Sequence, residues 1–198
     1  MVRNIPFRFE IVLIASMAFA PFVGDTAQGN DNSPAGVVNL AGKPVDPFQQ
    51  AKGKIVVLVF VRTDCPIANR YAPEIQRFSA AYRGKAEFFL VYVDKKESAD
   101  AIRRHDREYN YDLPALRDLQ HLLVKLSLAQ ITPEAAVFDA HRRLVYHGRI
   151  DNLYEDFGHT RKSASTHELD EAIRAAVAGK APAVGAVPAV GCYISDVE

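Results

Sequence analysis

Few residues in this chain have reactive chemistry of their own. Its 198 residues include two cysteines, Cys65 and Cys192, and six histidines. Two cysteines are too few for a cysteine-rich metal cluster, and neither a Cys-x-x-Cys nor a His-Glu-x-x-His run is present. What remains is thiol chemistry, in which a thiolate attacks a disulfide sulfur or a peroxide oxygen and a second thiol resolves the product. Cys65 is the candidate nucleophile. It stands in Phe60-Val-Arg-Thr-Asp-Cys-Pro-Ile-Ala-Asn-Arg-Tyr-Ala-Pro-Glu-Ile75, with the polar Arg62 and Thr63 just before it and Pro66 just after. Polar groups so placed can face charge that develops on an attacked atom.

The elements around Cys65 define its position. Lys54–Val61 is an apolar, β-branched run of the kind that forms a strand buried on both faces. Ile67, Tyr71, Ile75 and Phe78 then recur at helical spacing. Cys65 therefore sits where a core strand turns into a helix, and Pro66 suits a first turn that needs no N–H. Unpaired N–H groups and the positive end of the helix dipole favour a thiolate there, while the charge of Asp64 opposes it. Pro73 falls inside the same helix and predicts a kink.

Glu87–Asp94 reads as a second central strand, followed by a helix capped by Ser98 with Ala99, Ile102 and Tyr109 on one face. Leu119, Leu122, Leu123 and Leu126 mark a short helix packed on the core. Gln130–Asp139 is a strand opening on Thr132-Pro133, Ala140–Arg143 a turn, Leu144–Ile150 a return strand and Asp151–His159 a solvated acidic loop. Ser165-Thr-His-Glu168 reads as a capping box for a helix with Leu169, Ile173 and Val177 inward, ending near Gly179. The tail from Lys180 to Val190 is low in complexity and extended, and leads to Gly191-Cys192-Tyr193-Ile194.

The strand, Cys-Pro and kinked-helix unit resembles the thioredoxin-like superfamily. More narrowly, the Cys65–Glu74 stretch resembles exported bacterial redoxin-domain proteins, with a likeness running from about Val37 to Ile194. The resemblance implies an α/β fold, a three-layer sandwich around a mixed central β-sheet, with a small edge hairpin over Val37–Val45. It implies a cis Thr132–Pro133 bond beside the cysteine, with Thr132 offering backbone groups to an extended peptide. It also implies an exported thiol oxidoreductase with Cys65 and Cys192 catalytic and Arg62, Thr63, Pro66, Asn69, Thr132 and Pro133 in support. No cofactor or metal is implied. Two departures bear on mechanism. Ala68 stands where a dithiol thioredoxin has its second cysteine, and Arg62 and Leu58 stand where peroxiredoxins have a threonine and a proline.

The rest of the chain sets the compartment and the organisation. Residues 1–27 carry Arg3 and Arg8, the apolar run Ile11–Ala20 and a small-x-small Ala18-Phe19-Ala20, the order of an export signal too short to span a bilayer. Residues 28–36 form a polar lead-in, 37–180 the redoxin domain and 181–198 the tail with Cys192. An oxidising compartment is where two cysteines pair or cycle. The eleven residues Lys180–Val190, extended, span about 35 Å, enough to bring Cys192 back to Cys65. Net charge is zero, so neither nucleic acid nor an anionic membrane has a polybasic footprint to bind. The partners expected are a protein thiol or disulfide, or a peroxide, plus an electron donor that the sequence does not specify. Two other classes fit the same cysteine: a copper-handling assembly factor using His159 or His167, and a catalytically silent binding module.

Overall fold

The computed structural model describes residues 1–2 and 36–195. The expected export segment, 1–27, and the lead-in, 28–36, lie outside the described residues except for Met1, Val2 and Gly36. The first strand, β1 (Val37–Asn39), is followed by a one-turn helix α1 (Pro47–Gln50), whose N-terminal N–H groups are capped by Asp46. The expected edge hairpin is present in short form: Val38 bridges to Pro44, the Asn39 N–H donates to the Lys43 carbonyl and the Val45 N–H to the Val37 carbonyl, while β1 also pairs with β4.

The central strand is β2 (Ile55–Val61), every residue of it buried. Its alternating side chains serve two cores. Ile55, Val57, Val59 and Val61 join one cluster, while Val56, Leu58 and Phe60 join the other. That division explains why the run is continuously apolar, since helices cover both faces. After Cys65 come α2 (Pro66–Arg70) and α3 (Ala72–Ala81). The kink expected at Pro73 interrupts the helix at one residue, Tyr71. Tyr71 ends one helix and begins the next, so Pro73 falls in a first turn where its missing N–H costs nothing.

The strand β3 (Ala86–Tyr92) leads to α4 (Ala99–Glu108), capped by Ser98 as its sequence suggests. A four-residue strand that periodicity did not reveal, β4 (Ala115–Asp118), precedes α5 (Leu122–Ser127). Leu123 and Val124 of α5 are buried, but Leu126 is exposed, contrary to its expected inward stripe. β5 (Ile131–Thr132) and β6 (Glu134–Phe138) are separate strands on either side of Pro133. β7 (Leu144–Gly148) returns along β6.

The stretch read as a solvated loop contains a small hairpin, β8 (Tyr154–Asp156) and β9 (His159–Thr160), and Asp151 at its start is buried. The last helix, α6 (Glu168–Val177), begins after His167 with no side-chain cap, which corrects the expected capping box. Ser165 instead accepts from the Asn152 amide at 2.8 Å, and the Thr166 hydroxyl donates to Glu168. Val177 turns outward, while Leu169, Ala172, Ile173 and Ala176 face the core. Two short strands, β10 (Ala186–Val187) and β11 (Cys192–Tyr193), punctuate the tail.

Seven strands form one sheet in the order β1-β4-β3-β2-β6-β7-β10. β2, β3 and β4 run parallel, β6 is antiparallel to β2, and β7 antiparallel to β6, so the sheet is mixed. Core residues of α3, α4 and α6 cover one face, and those of α1 and α5 the other. The result is the three-layer α/β sandwich expected from the sequence. Among the described residues, no helix is long and apolar enough to cross a membrane.

Candidate active site

Cys65 lies at the end of the loop that leaves β2, and it is fully buried. It is the N-cap residue of α2, with extended backbone (φ −87°, ψ 106°). Its sulfur accepts from the Ala68 N–H at 3.5 Å, and its thiol donates to the Thr132 carbonyl at 3.1 Å. The first contact follows from position, because an N-cap side chain faces the unpaired N–H groups of the first turn. The second joins the cysteine to a strand that lies 67 positions away.

The loop is held from beneath by a polar chain. The Thr63 N–H and hydroxyl both donate to Glu97 Oε1, at 2.8 and 2.7 Å, and the Thr63 carbonyl accepts from the Asn69 amide at 3.1 Å. Asn69 Oδ1 meets His105 Nε2 at 2.8 Å, and His105 Nδ1 meets the Tyr92 hydroxyl at 2.8 Å. The Tyr92 hydroxyl also donates to Asp106 at 2.7 Å. Burial sets the ionisation along this chain. It holds His105 below its usual range. Burial also lifts Glu97 above the usual carboxylate range, against the opposing pull of its bonds to Thr63. Thr63 and Asn69 are thus committed to holding the loop.

Thr132 and Pro133 are joined by a cis peptide bond. The carboxylate of Glu134, itself buried, accepts from the Gln130 and Ile131 N–H groups at 2.9 and 3.2 Å. The β5 backbone is otherwise paired with β11, antiparallel, with Cys192 opposite Thr132 and Tyr193 opposite Ile131. The Ile194 N–H donates to the Gln130 carbonyl at 2.9 Å, and Ile194 inserts into the second core cluster. Gly191 permits this approach, because a Cβ there would lie 2.0 Å from the Thr132 carbonyl oxygen.

The tail therefore delivers Cys192 to Cys65, with both sulfurs as free thiols. Burial pushes the Cys192 thiol up to about 12, and a hydrogen bond to Cys65 and the charge of that group push the same way. Arg62 acts on Cys192 in the opposite sense, while its guanidinium pairs with Asp64 at 2.9 Å. Of the residues singled out by sequence, Cys65, Cys192, Pro66, Thr132, Pro133 and Arg62 gather at one place, and Thr63 and Asn69 support it. His159 is bound to Asp156, and the ligand atoms of His167, Glu74 and Asp151 lie within 4.8 Å of one another.

Sequence reasoning missed Glu97, His105, Tyr92 and Glu134. One signal was available for His105, which lies one turn from Ile102 and so on the same inward face of α4. Glu97 and Glu134 carry no such mark, since what they bind is distant in sequence or masked by their own strand.

A cysteine at a strand-to-helix junction, against a cis-proline segment and within a mixed sheet between helical layers, defines a thioredoxin-like redoxin. The chain belongs to the AhpC/TSA family, which it matches over residues 24–147, well over half its length. Among solved structures it is similar to a hypothetical protein of Sinorhizobium meliloti, with 23% identity, TM-score 0.68 and coverage of 80% of this chain and 88% of that one. An uncharacterized thioredoxin-like protein of Porphyromonas gingivalis aligns with TM-score 0.54 at 19% identity, covering 72% and 88%. A secreted Mycobacterium tuberculosis disulfide oxidoreductase, described as homologous to E. coli DsbE, aligns with TM-score 0.50 at 20% identity, covering 72% and 93%. Among curated proteins no sequence matches this one.

Proposed function

We propose that the protein is an exported thiol oxidoreductase in which Cys65 is the nucleophile and Cys192 the resolving thiol. The observation that carries this reading is the placement of Cys192 opposite Thr132, whose carbonyl accepts the Cys65 thiol. In the first step the Cys65 thiolate attacks an oxidant of the peroxide or disulfide class. A hydroperoxide loses its O–O bond, takes up one proton and leaves as the alcohol or water, with Cys65 oxidised to the sulfenic acid. Cys192 then displaces water to form the Cys65–Cys192 disulfide. With a disulfide as oxidant, Cys65 forms a mixed disulfide and releases one thiolate, and Cys192 displaces the other. Either way two electrons leave the protein, and an external thiol reductant must return them.

The electrostatics support the order of events. Burial is the main cause that holds Cys192 as a thiol, with a hydrogen bond to Cys65 and the charge of a Cys65 thiolate acting in the same sense. Conversion of that thiolate to a neutral oxidised intermediate removes the last of these, so Cys192 loses its proton more readily once there is an intermediate to resolve. Export is supported by the basic, apolar, small-residue order of residues 1–27.

Oxidation with hydrogen peroxide or a small disulfide, then non-reducing peptide mapping, is expected to yield an intramolecular Cys65–Cys192 bridge. Two free thiols after such treatment, with no dimer, would remove Cys192 from the mechanism. Competition between peroxide and a model disulfide for the reduced protein ranks the two oxidants. N-terminal sequencing of protein from its native host is expected to start between Pro21 and Gln28, and an intact Met1 in the cytoplasmic fraction would refute export.

A further inference from the structure

The β5 edge beside Cys65 is already occupied. β11 takes it with backbone hydrogen bonds, which an extended peptide of almost any sequence can also make. Cys192 then stands where the cysteine of such a peptide would stand, opposite Thr132 and next to Cys65. We infer that the tail, residues 186–194, is a built-in competitor for peptide substrates. Docked, it leaves the buried Cys65 to small oxidants of hydroperoxide size. Released, it opens the same edge to protein disulfides. This inference rests on the proposed nucleophilic role of Cys65 and adds a rule for which oxidants reach it.

Three observations support a strap that docks and releases. Its two attachments are short: β10 pairs with β7 over two residues, and β11 with β5 over two. Each depends on a glycine at a crossing point. A Cβ on Gly148 would lie 2.0 Å from the Val187 oxygen, and one on Gly191 would lie 2.0 Å from the Thr132 oxygen. Between the attachments the strap bridges a cleft of about 240 Å³, lined by Gln130, Ile131, Glu134, His147, Val187 and Pro188. The strap is packed less fully than the core: Val187, Val190 and Cys192 lie half-buried against the first core cluster, and Ile194 is the one side chain of residues 186–194 that is buried, in the second. Cys65 has no exposed surface while the strap is docked, and the Cys65–Thr132 contact lies directly against β11.

For a protein disulfide, the Cys65 thiolate attacks one sulfur, a mixed disulfide forms and the other sulfur leaves as a thiolate. The strap must be away from β5 for this attack. For a hydroperoxide, only the O–O bond must reach the sulfur, so local opening suffices.

The test measures single-turnover loss of the Cys65 thiol in three proteins that all lack the second thiol. These are Cys192→Ser, Cys192→Ser with Gly191→Ala, and a chain ending at Gly185. Each is treated with hydrogen peroxide and with an extended peptide carrying a disulfide. The expected result is a ratio of peptide rate to peroxide rate at least tenfold higher in the shortened chain than in Cys192→Ser, with the Gly191→Ala protein raised in the same direction. Amide hydrogen exchange at Ile194 reports docking directly and is expected to accelerate at least tenfold in the Gly191→Ala protein, which retains the whole chain if truncation impairs folding. A ratio equal in Cys192→Ser and Gly191→Ala, while Ile194 exchange accelerates, overturns the competitor role. Cys65 inert to both oxidants in every variant overturns its nucleophilic role, and the inference falls with it.

Discussion

The two cysteines arrive at one place by opposite means. Cys65 is carried by β2, a seven-residue strand buried throughout and paired on both sides, and its loop is tied to Glu97 through Thr63. Cys192 is carried by a two-residue strand that reaches β5 past a glycine and is secured by Ile194. The first cysteine is positioned by the core, so moving it means unfolding the protein. The second is positioned by docking, so moving it costs only local contacts. In the proposed redox pair this division would give the nucleophile a fixed environment and its partner the freedom to approach, react and withdraw.

That contrast can be broken from the side of the core first. Phe60→Ala, at a fully buried position of β2, is expected to lower global stability by about 3–5 kcal/mol, as large-to-small core changes do. Chemical denaturation measures it, and a loss below that of any tail variant would contradict the division. Glu97→Ala is expected to cost about 1.5–3 kcal/mol through its lost charged hydrogen bonds to Thr63, and to slow Cys65 alkylation by disordering the loop.

Glu97→Gln sharpens the same point, since it keeps an acceptor for Thr63 and removes the buried charge. Burial raises the folded-state value of Glu97, so the native protein binds that proton more tightly than the unfolded chain. Its contribution to stability is therefore present at low pH and lost as pH rises through the raised value. The Gln variant is expected to show a flatter pH dependence, and urea unfolding at pH 5 and pH 8 tests this.

The docking side is expected to respond more weakly. Ile194→Ala removes the anchor, but the tail can detach without unfolding the sheet, so a loss of only about 1–2 kcal/mol is expected, below the usual cost of a core isoleucine. Calorimetry gives that loss, and hydrogen exchange at the position-194 amide, which donates to the Gln130 carbonyl, shows whether the β11 pairing opens. The smallest effect concerns the second thiol alone. Cys65→Ala deletes a hydrogen bond and a charge that raise Cys192, so the midpoint of Cys192 alkylation is expected to fall below about 12, with burial still opposing ionisation. An unchanged midpoint would mean that burial alone holds that thiol.

Much of the architecture was written in local patterns. The continuous apolar runs of β2 and β3 announced central strands, Ser98 announced the start of α4, and the strand-to-helix junction placed Cys65 as the N-cap of a helix. These features depend on neighbours in sequence, where period and capping rules operate. The errors fall where tertiary contacts overrode such rules. The Ser165 capping box dissolved because Asn152 claimed that serine, and the acidic loop gained a buried Asp151 because the Tyr71 hydroxyl bonds to it at 2.5 Å.

The sequence by itself determined that one thiol lies at a strand-to-helix turn of an α/β protein and that a second lies at the end of a low-complexity tail. Only the tertiary structure decided where that tail goes. Its docking depends on the unpaired edge of β5, the Glu134 carboxylate that caps the neighbouring N–H groups and the clearance left by Gly191. Two-residue strands of this kind have no periodicity to read. They exist only because another strand, distant in sequence, presents donors and acceptors at the right spacing.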